Sequence, residues 1–106
     1  MATMQDLKLA LDATGLPFTH FAWARAPAGD HGVYAEDGAA DFIADGLHAE
    51  RATTGTVDWF TRDPAGPARE AIEAALEGVA VWSLESIQYE DETRYTHYEW
   101  RFGLYG

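Results

Sequence analysis

Between residues 3 and 14 the apolar side chains Met4, Leu7 and Leu11 recur at three- and four-residue intervals with Ala10 beside them, while Gln5, Asp6, Lys8 and Asp12 fall elsewhere. That spacing predicts an amphipathic helix, closed by Gly15 with Pro17 two residues on. A second helix is predicted from Asp63-Pro64, an N-cap residue followed by a proline at the first helical position, as far as Gly78. Its inward face comprises Ala68, Ala71, Ile72, Ala75 and Leu76, and Glu70 and Glu73 lie outside, close to the positive end of the helix. The small residues on that face suit close packing on a flat sheet.

Elsewhere the period falls to two. Residues 18–24 alternate Thr19, Phe21 and Trp23 against Phe18, His20 and Ala22, which predicts a strand. Further strands are predicted at 32–36 and within 43–61, around Asp37-Gly38 and Asp45-Gly46, each a tight-turn signal. Val57 and Trp59 share one face of the longer strand, and Gly55 marks a place for a bulge. Residues 79–90 and 93–104 form a closing pair around the acidic Asp91-Glu92 turn. In the last of these, Tyr98, Trp100, Phe102 and Leu104 share one face, and His97, Glu99 and Arg101 the other. The order α-β-β-β-α-β-β makes one α+β domain over 1–106, a mainly antiparallel sheet with two helices packed on one face. Residues 25–31, with Pro27 and Gly29, read as a mobile loop.

Composition narrows the partners. The 106 residues carry 18 acidic against 7 basic side chains, a formal net charge of −11. Affinity for duplex DNA or an anionic membrane comes from Lys and Arg, so neither fits as a general partner. Hydrophobic residues make up 47% of the chain, enough for a core despite the charge. No stretch approaches the roughly 18 apolar residues of a membrane helix, and Asp6, Lys8 and Asp12 interrupt what a signal peptide would need. The expectation is a soluble chain made in the cytoplasm. The absence of Cys excludes disulfides and thiolate chemistry.

Candidate catalytic and metal-ligating patterns are weak. His20, His31, His48 and His97 include no H-x3-H or HExxH spacing. Asp37, Asp41 and Asp45 recur every four residues without the spacing of a calcium loop, and read as turn formers beside Gly. Ser83 and Ser86 are the only serines and neither sits in a nucleophile elbow. Neither a cofactor nor a metal is expected, and no catalytic residue. A small acid–base enzyme would need a deep pocket holding a histidine–carboxylate pair, with His20, or His97 with Glu99.

Residues 87–100 place aromatic side chains on both faces of a hairpin. Tyr89 and Tyr95 either oppose each other or lie on the exposed side. Half-exposed Tyr and Trp suit contact with another protein; ordinary cross-strand pairs on a solvated hairpin are the competing reading.

These residues together resemble the small tail-terminator, or tail-completion, proteins of long-tailed siphophages. The resemblance rests on an N-terminal helix with a Leu16-Pro17 entry, then Gly32-Val33-Tyr34, Asp37-Gly38, Phe42 and Ala44-Asp45. It continues through the strand Thr56-Val57-Asp58-Trp59-Phe60-Thr61-Arg62, an amphipathic helix, and a closing hairpin from Gln88-Tyr89-Glu90-Asp91 to His97-Tyr98-Glu99-Trp100. Residues 24–32 carry no motif of that family. The resemblance implies a structural protein at the head-proximal end of a virion tail, assembled in the host cytoplasm. Its homo-hexameric ring would cap the tail tube, stop its growth and meet the head-side connector or stopper protein. It implies no catalytic residue, no cofactor and no membrane contact. DNA would pass through without specific binding, met by like charge in the lumen. Arg25, His31, Asp37, Phe42, Asp45, Tyr89, Tyr95 and His97 are the protein-interface candidates. The rival function is a small acidic DNA-mimic inhibitor of a nucleic-acid-binding enzyme, against which the carboxylates are dispersed over turns and helix surfaces.

Overall fold

The computed structural model describes residues 2–41 and 51–105. Seven elements follow one another: α1 (Met4–Ala13), β1 (Phe18–His20), β2 (His31–Asp41), β3 (Arg51–Thr61), α2 (Ala68–Val79), β4 (Val81–Tyr89) and β5 (Thr96–Tyr105). The strands form one five-stranded sheet in the order β1-β2-β3-β5-β4. Only β1 and β2 run parallel; every other pair is antiparallel. The α+β class and the element order match the pattern of the sequence.

Helix α1 begins with a capping box, in which the Thr3 hydroxyl accepts from the Asp6 amide and the Asp6 carboxylate from the Thr3 amide. It ends at Gly15, whose φ of 78° lies where a residue with a Cβ is disfavoured. Leu7 and Leu11 of α1 and Ile72 and Leu76 of α2 are fully buried. They join Tyr34, Val57, Trp59, Tyr98, Trp100, Phe102 and Leu104 in a single core. The ladder explains this membership: Trp100 pairs with Val57 and Val57 with Tyr34, while Tyr98 pairs with Trp59, so one face of three strands meets both helices.

Three boundaries differ from the sequence reading. Asp63-Pro64 opens a turn closed by a hydrogen bond from the Gly66 amide to the Asp63 carbonyl, and α2 starts only after a second proline, Pro67. Proline disfavours helical geometry in the residue before it, so Gly66-Pro67 resets the chain and postpones the helix. Strand β1 stops at His20 because Phe21 adopts a left-handed φ of 67° and turns the chain away, and residues 21–24 are not strand. Asp37-Gly38 is not a turn: β2 continues through it to Asp41, with the pairing shifted between Glu36 and Gly38. The bulge expected at Gly55 therefore sits on the opposite strand, Asp37 being its extra residue. Gly55 is needed for another reason, since a Cβ there would collide with the Ala35 carbonyl and the Phe102 ring. Asp45-Gly46 lies outside the described residues.

No helix among the described residues is long and apolar enough to cross a membrane.

Candidate protein interface

Side chains opposite the helical layer line up across the strands. His31 of β2 pairs with Phe60 of β3, and Phe60 with His97 of β5. Their rings stack in one row, with centroids 5.1 Å apart for His31–Phe60 and 4.2 Å for Phe60–His97. Tyr95 meets this row edge-on, 5.4 Å from His31 and 6.2 Å from Phe60. Trp23 closes the far end, its ring edge-on to His31 and its indole N–H donating to the Gly32 carbonyl at 2.9 Å.

The loop after β1 is tied onto this row. The Tyr95 hydroxyl lies 3.1 Å from the Ala28 carbonyl and 3.0 Å from that of Gly29. Arg62 donates to the Ala28 and Thr93 carbonyls and lies 4.2 Å over the Tyr95 ring. Asp30 accepts from the Thr61 hydroxyl and the Arg62 amide. Residues 25–31, expected to be a mobile loop, thus have their second half pinned by two side chains of one neighbouring strand end and a tyrosine from another.

Next to the aromatic row the same face becomes charged. Asp58 of β3 stands opposite Glu99 of β5, and the His97 imidazole Nε2 lies 2.9 Å from Asp58 Oδ1. That hydrogen bond is the main reason the His97 pKa is raised; partial burial opposes it, and the charges of Asp58, Glu90 and Glu99 add to it. Further along, Asp37 accepts from the Thr54 hydroxyl and from Arg101 Nη1, each at 2.9 Å. The Thr54 bond first, and the guanidinium after it, hold the Asp37 carboxyl below its ordinary value. The bulge residue is thereby fastened across β3 to β5.

The interface candidates separate into groups. His31 and Tyr95 are only 8% and 7% exposed, so they shape the surface from within instead of meeting a partner. The Phe60 ring bridges them to His97, which is half-buried. Asp37 is exposed on the same face, Arg25 is exposed in the loop, and Phe42 and Asp45 lie outside the described residues. Tyr89 neither opposes nor touches Tyr95's position in the ladder; it pairs with Thr96 and is 61% exposed. Sequence reasoning passed over Phe60 and Asp58, visible only once register is known, and the exposed Phe21, Val81 and Ile87. Phe21 and His20 stack 4.1 Å apart at the β1 edge of the sheet. Val81, Ile87 and Tyr89 lie on β4, the opposite edge.

An acid–base centre does not assemble in the way the sequence allowed. His97 pairs with Asp58 instead of Glu99, and His20 pairs with Glu36 at an exposed position. The His20 hydrogen bond is the main reason the Glu36 carboxyl lies below its ordinary value. A cavity of about 320 Å³ between the end of α1 and the start of α2 is lined by Leu16, Pro17, Trp59, Pro67 and Ala68 among others, and contains neither histidine.

No family model matches the chain, and no curated protein matches it. Among solved structures it is similar to a chain of the virion of a native gene transfer agent (GTA) particle, with a TM-score of 0.55 and 20% identity. The alignment covers 99% of this chain and 92% of that one, so the two share a fold across nearly their whole length.

Proposed function

We propose that this chain is a structural protein of a phage-like virion, and within it the tail terminator: a ring, hexameric by the resemblance, that caps the tail tube, stops its polymerisation and joins it to the head-side connector. The observation that carries the reading is the fold shared end to end with a virion chain, in a sequence whose motif order resembles the siphophage terminators. The surface is compatible with a ring. Cyclic assembly of identical subunits needs two different, complementary patches; of the exposed apolar residues, Phe21 lies beside β1 and Val81, Ile87 and Tyr89 on β4, at opposite edges of the sheet, while Leu9 lies on α1 and Tyr105 at the end of β5. The role is non-catalytic, and the acidity of each subunit keeps passing DNA from adhering. A DNA mimic would present its carboxylates as one track, whereas Glu36, Asp37, Asp58 and Glu73 are each engaged within the fold.

Electron microscopy of particles assembled without this protein tests the proposal. Overlong or unattached tails are expected; tails of normal length joined to heads would overturn it.

A further inference from the structure

Asp58 and Glu99 form a directly opposed pair of like charges in the middle of the sheet, an arrangement that destabilises a ladder unless something positive lies between them. Among the described residues no Lys or Arg forms an ion pair with either carboxylate; the arginine nearest along β5, Arg101, is committed to Asp37. The Glu99 side chain makes no hydrogen bond within the described residues, and the single cationic group available to the pair is the imidazole of His97.

From this geometry we infer that Asp58, His97 and Glu99 form a binding site for a divalent transition-metal cation of the zinc class. One ligand atom from each of the three lies within 4.8 Å of the others. Ligand atoms ~2 Å from one tetrahedral ion stand a little over ~3 Å apart, and His97 Nε2 and Asp58 Oδ1 are already 2.9 Å apart. The local fold explains the convergence. The two-residue spacing of His97 and Glu99 on β5 directs both to one face, and antiparallel pairing brings Asp58 opposite.

Two contacts hold the ligands in place. Phe60 stacks on the His97 ring at 4.2 Å, and Thr56 Oγ1 is 3.4 Å from Asp58 Oδ2, the oxygen that His97 does not use. Such support behind the ligating atoms is what fixes their direction in metal sites. One imidazole with two carboxylates suits zinc-class ions, whereas magnesium and calcium favour all-oxygen shells. The site lies on the helix-free face, with the His97 and Asp58 side chains 20% and 21% exposed. It is independent of the tail-terminator proposal.

Calorimetric titration of the metal-free protein with Zn²⁺ alone tests the site. The expected result is one ion per chain, weakened at least tenfold in both His97→Gln and Glu99→Gln, and unchanged within twofold in His20→Gln, which removes the other histidine–carboxylate pair. Near-ultraviolet circular dichroism verifies that each variant is folded. Should His97→Gln unfold, Glu99→Gln decides, because that side chain supports no hydrogen bond. Titration with Co²⁺ should give visible absorption bands that vanish in the same two variants. Absence of Zn²⁺ binding at millimolar concentration, equal binding in Glu99→Gln, or Mg²⁺ binding as tight as Zn²⁺ would overturn the assignment.

Discussion

The hydroxyl of Tyr95, at the entrance to β5, donates to the carbonyl of Gly29 at 3.0 Å, and thereby joins the last hairpin to the loop that follows the first strand. The same hydroxyl lies 3.1 Å from the Ala28 carbonyl, which also accepts from Arg62, while His31 Nδ1 lies 2.9 Å from the Gly29 carbonyl. Tyr95→Phe keeps the ring under Arg62 and against Phe60 and removes only this link. The expected loss is about 1–2 kcal/mol of unfolding free energy, with faster amide exchange in residues 24–30 and unchanged exchange in β3. Equal exchange in the loop would show that Asp30 and Arg62 hold it unaided.

Trp59 and Trp100 offer an internal comparison. Both are essentially fully buried in one core, but the Trp100 indole N–H donates to Glu73 at 2.9 Å while that of Trp59 is buried without a partner. Changing either to Phe deletes the same atoms and opens a similar cavity. The difference between the two variants therefore reports mainly the hydrogen bond to a carboxylate, and Trp100→Phe is expected to cost about 1.5–3 kcal/mol more than Trp59→Phe in urea unfolding.

Gly55→Ala is expected to destabilise the fold by about 2 kcal/mol or more, because the added methyl meets a backbone carbonyl and a buried aromatic ring at once. Neither can withdraw: the Ala35 carbonyl belongs to the β2–β3 pair and Phe102 is 2% exposed. Chemical denaturation of the variant beside Gly29→Ala, where nothing lies within 4 Å of an added Cβ, separates this collision from the general effect of replacing glycine.

The carboxyl of Asp37 has a lowered folded-state pKa, first through Thr54 and then through Arg101. A depressed folded pKa contributes stability above the unfolded value and loses it as pH falls through the folded value. Stability should accordingly decline on acidification below the ordinary carboxylate range, and Asp37→Asn should flatten part of that decline while lowering stability at neutral pH. Both side chains of the Asp37–Arg101 pair are nearly half exposed, so solvent screening keeps the effect small. Equilibrium unfolding between pH 6 and pH 2 checks the direction.

What the sequence made legible follows from how one-sided each element is. The stripe of Leu7 and Leu11 and the alternation of Tyr98, Trp100, Phe102 and Leu104 are plain because burial acts on one face alone. The start of α2 is ambiguous in the sequence because Asp63-Pro64 has the chemistry of a cap, and only the competing Gly66-Pro67 reveals that the chain uses it for a turn. Asp37-Gly38 carries the same ambiguity: Gly38 takes a positive φ of 146°, a conformation that favours glycine, but within a continuing strand. Phe21 ended β1 through a backbone conformation that its residue type gives no reason to expect. Of the charged cluster, the spacing of His97 and Glu99 was visible in the sequence. Asp58 was not, since it belongs to another strand and only the register of β3 against β5 brings it there.

The irregularity in β4 has an effect of its own. Trp82 and Leu84 pair with Phe102 and Trp100, Glu85 drops out of the ladder, and Ile87 and Tyr89 pair with Tyr98 and Thr96. One surplus residue thus changes the phase of the strand, turning an even-numbered helical-side row into an odd-numbered one. Were Glu85 instead taken into the ladder opposite Glu99, Ile87 would fall opposite His97 and emerge with it on the helix-free face. Deletion of Glu85, by contrast, would leave Ile87 opposite Tyr98 and Tyr89 opposite Thr96, so the faces of β4 are set by leaving that residue unpaired.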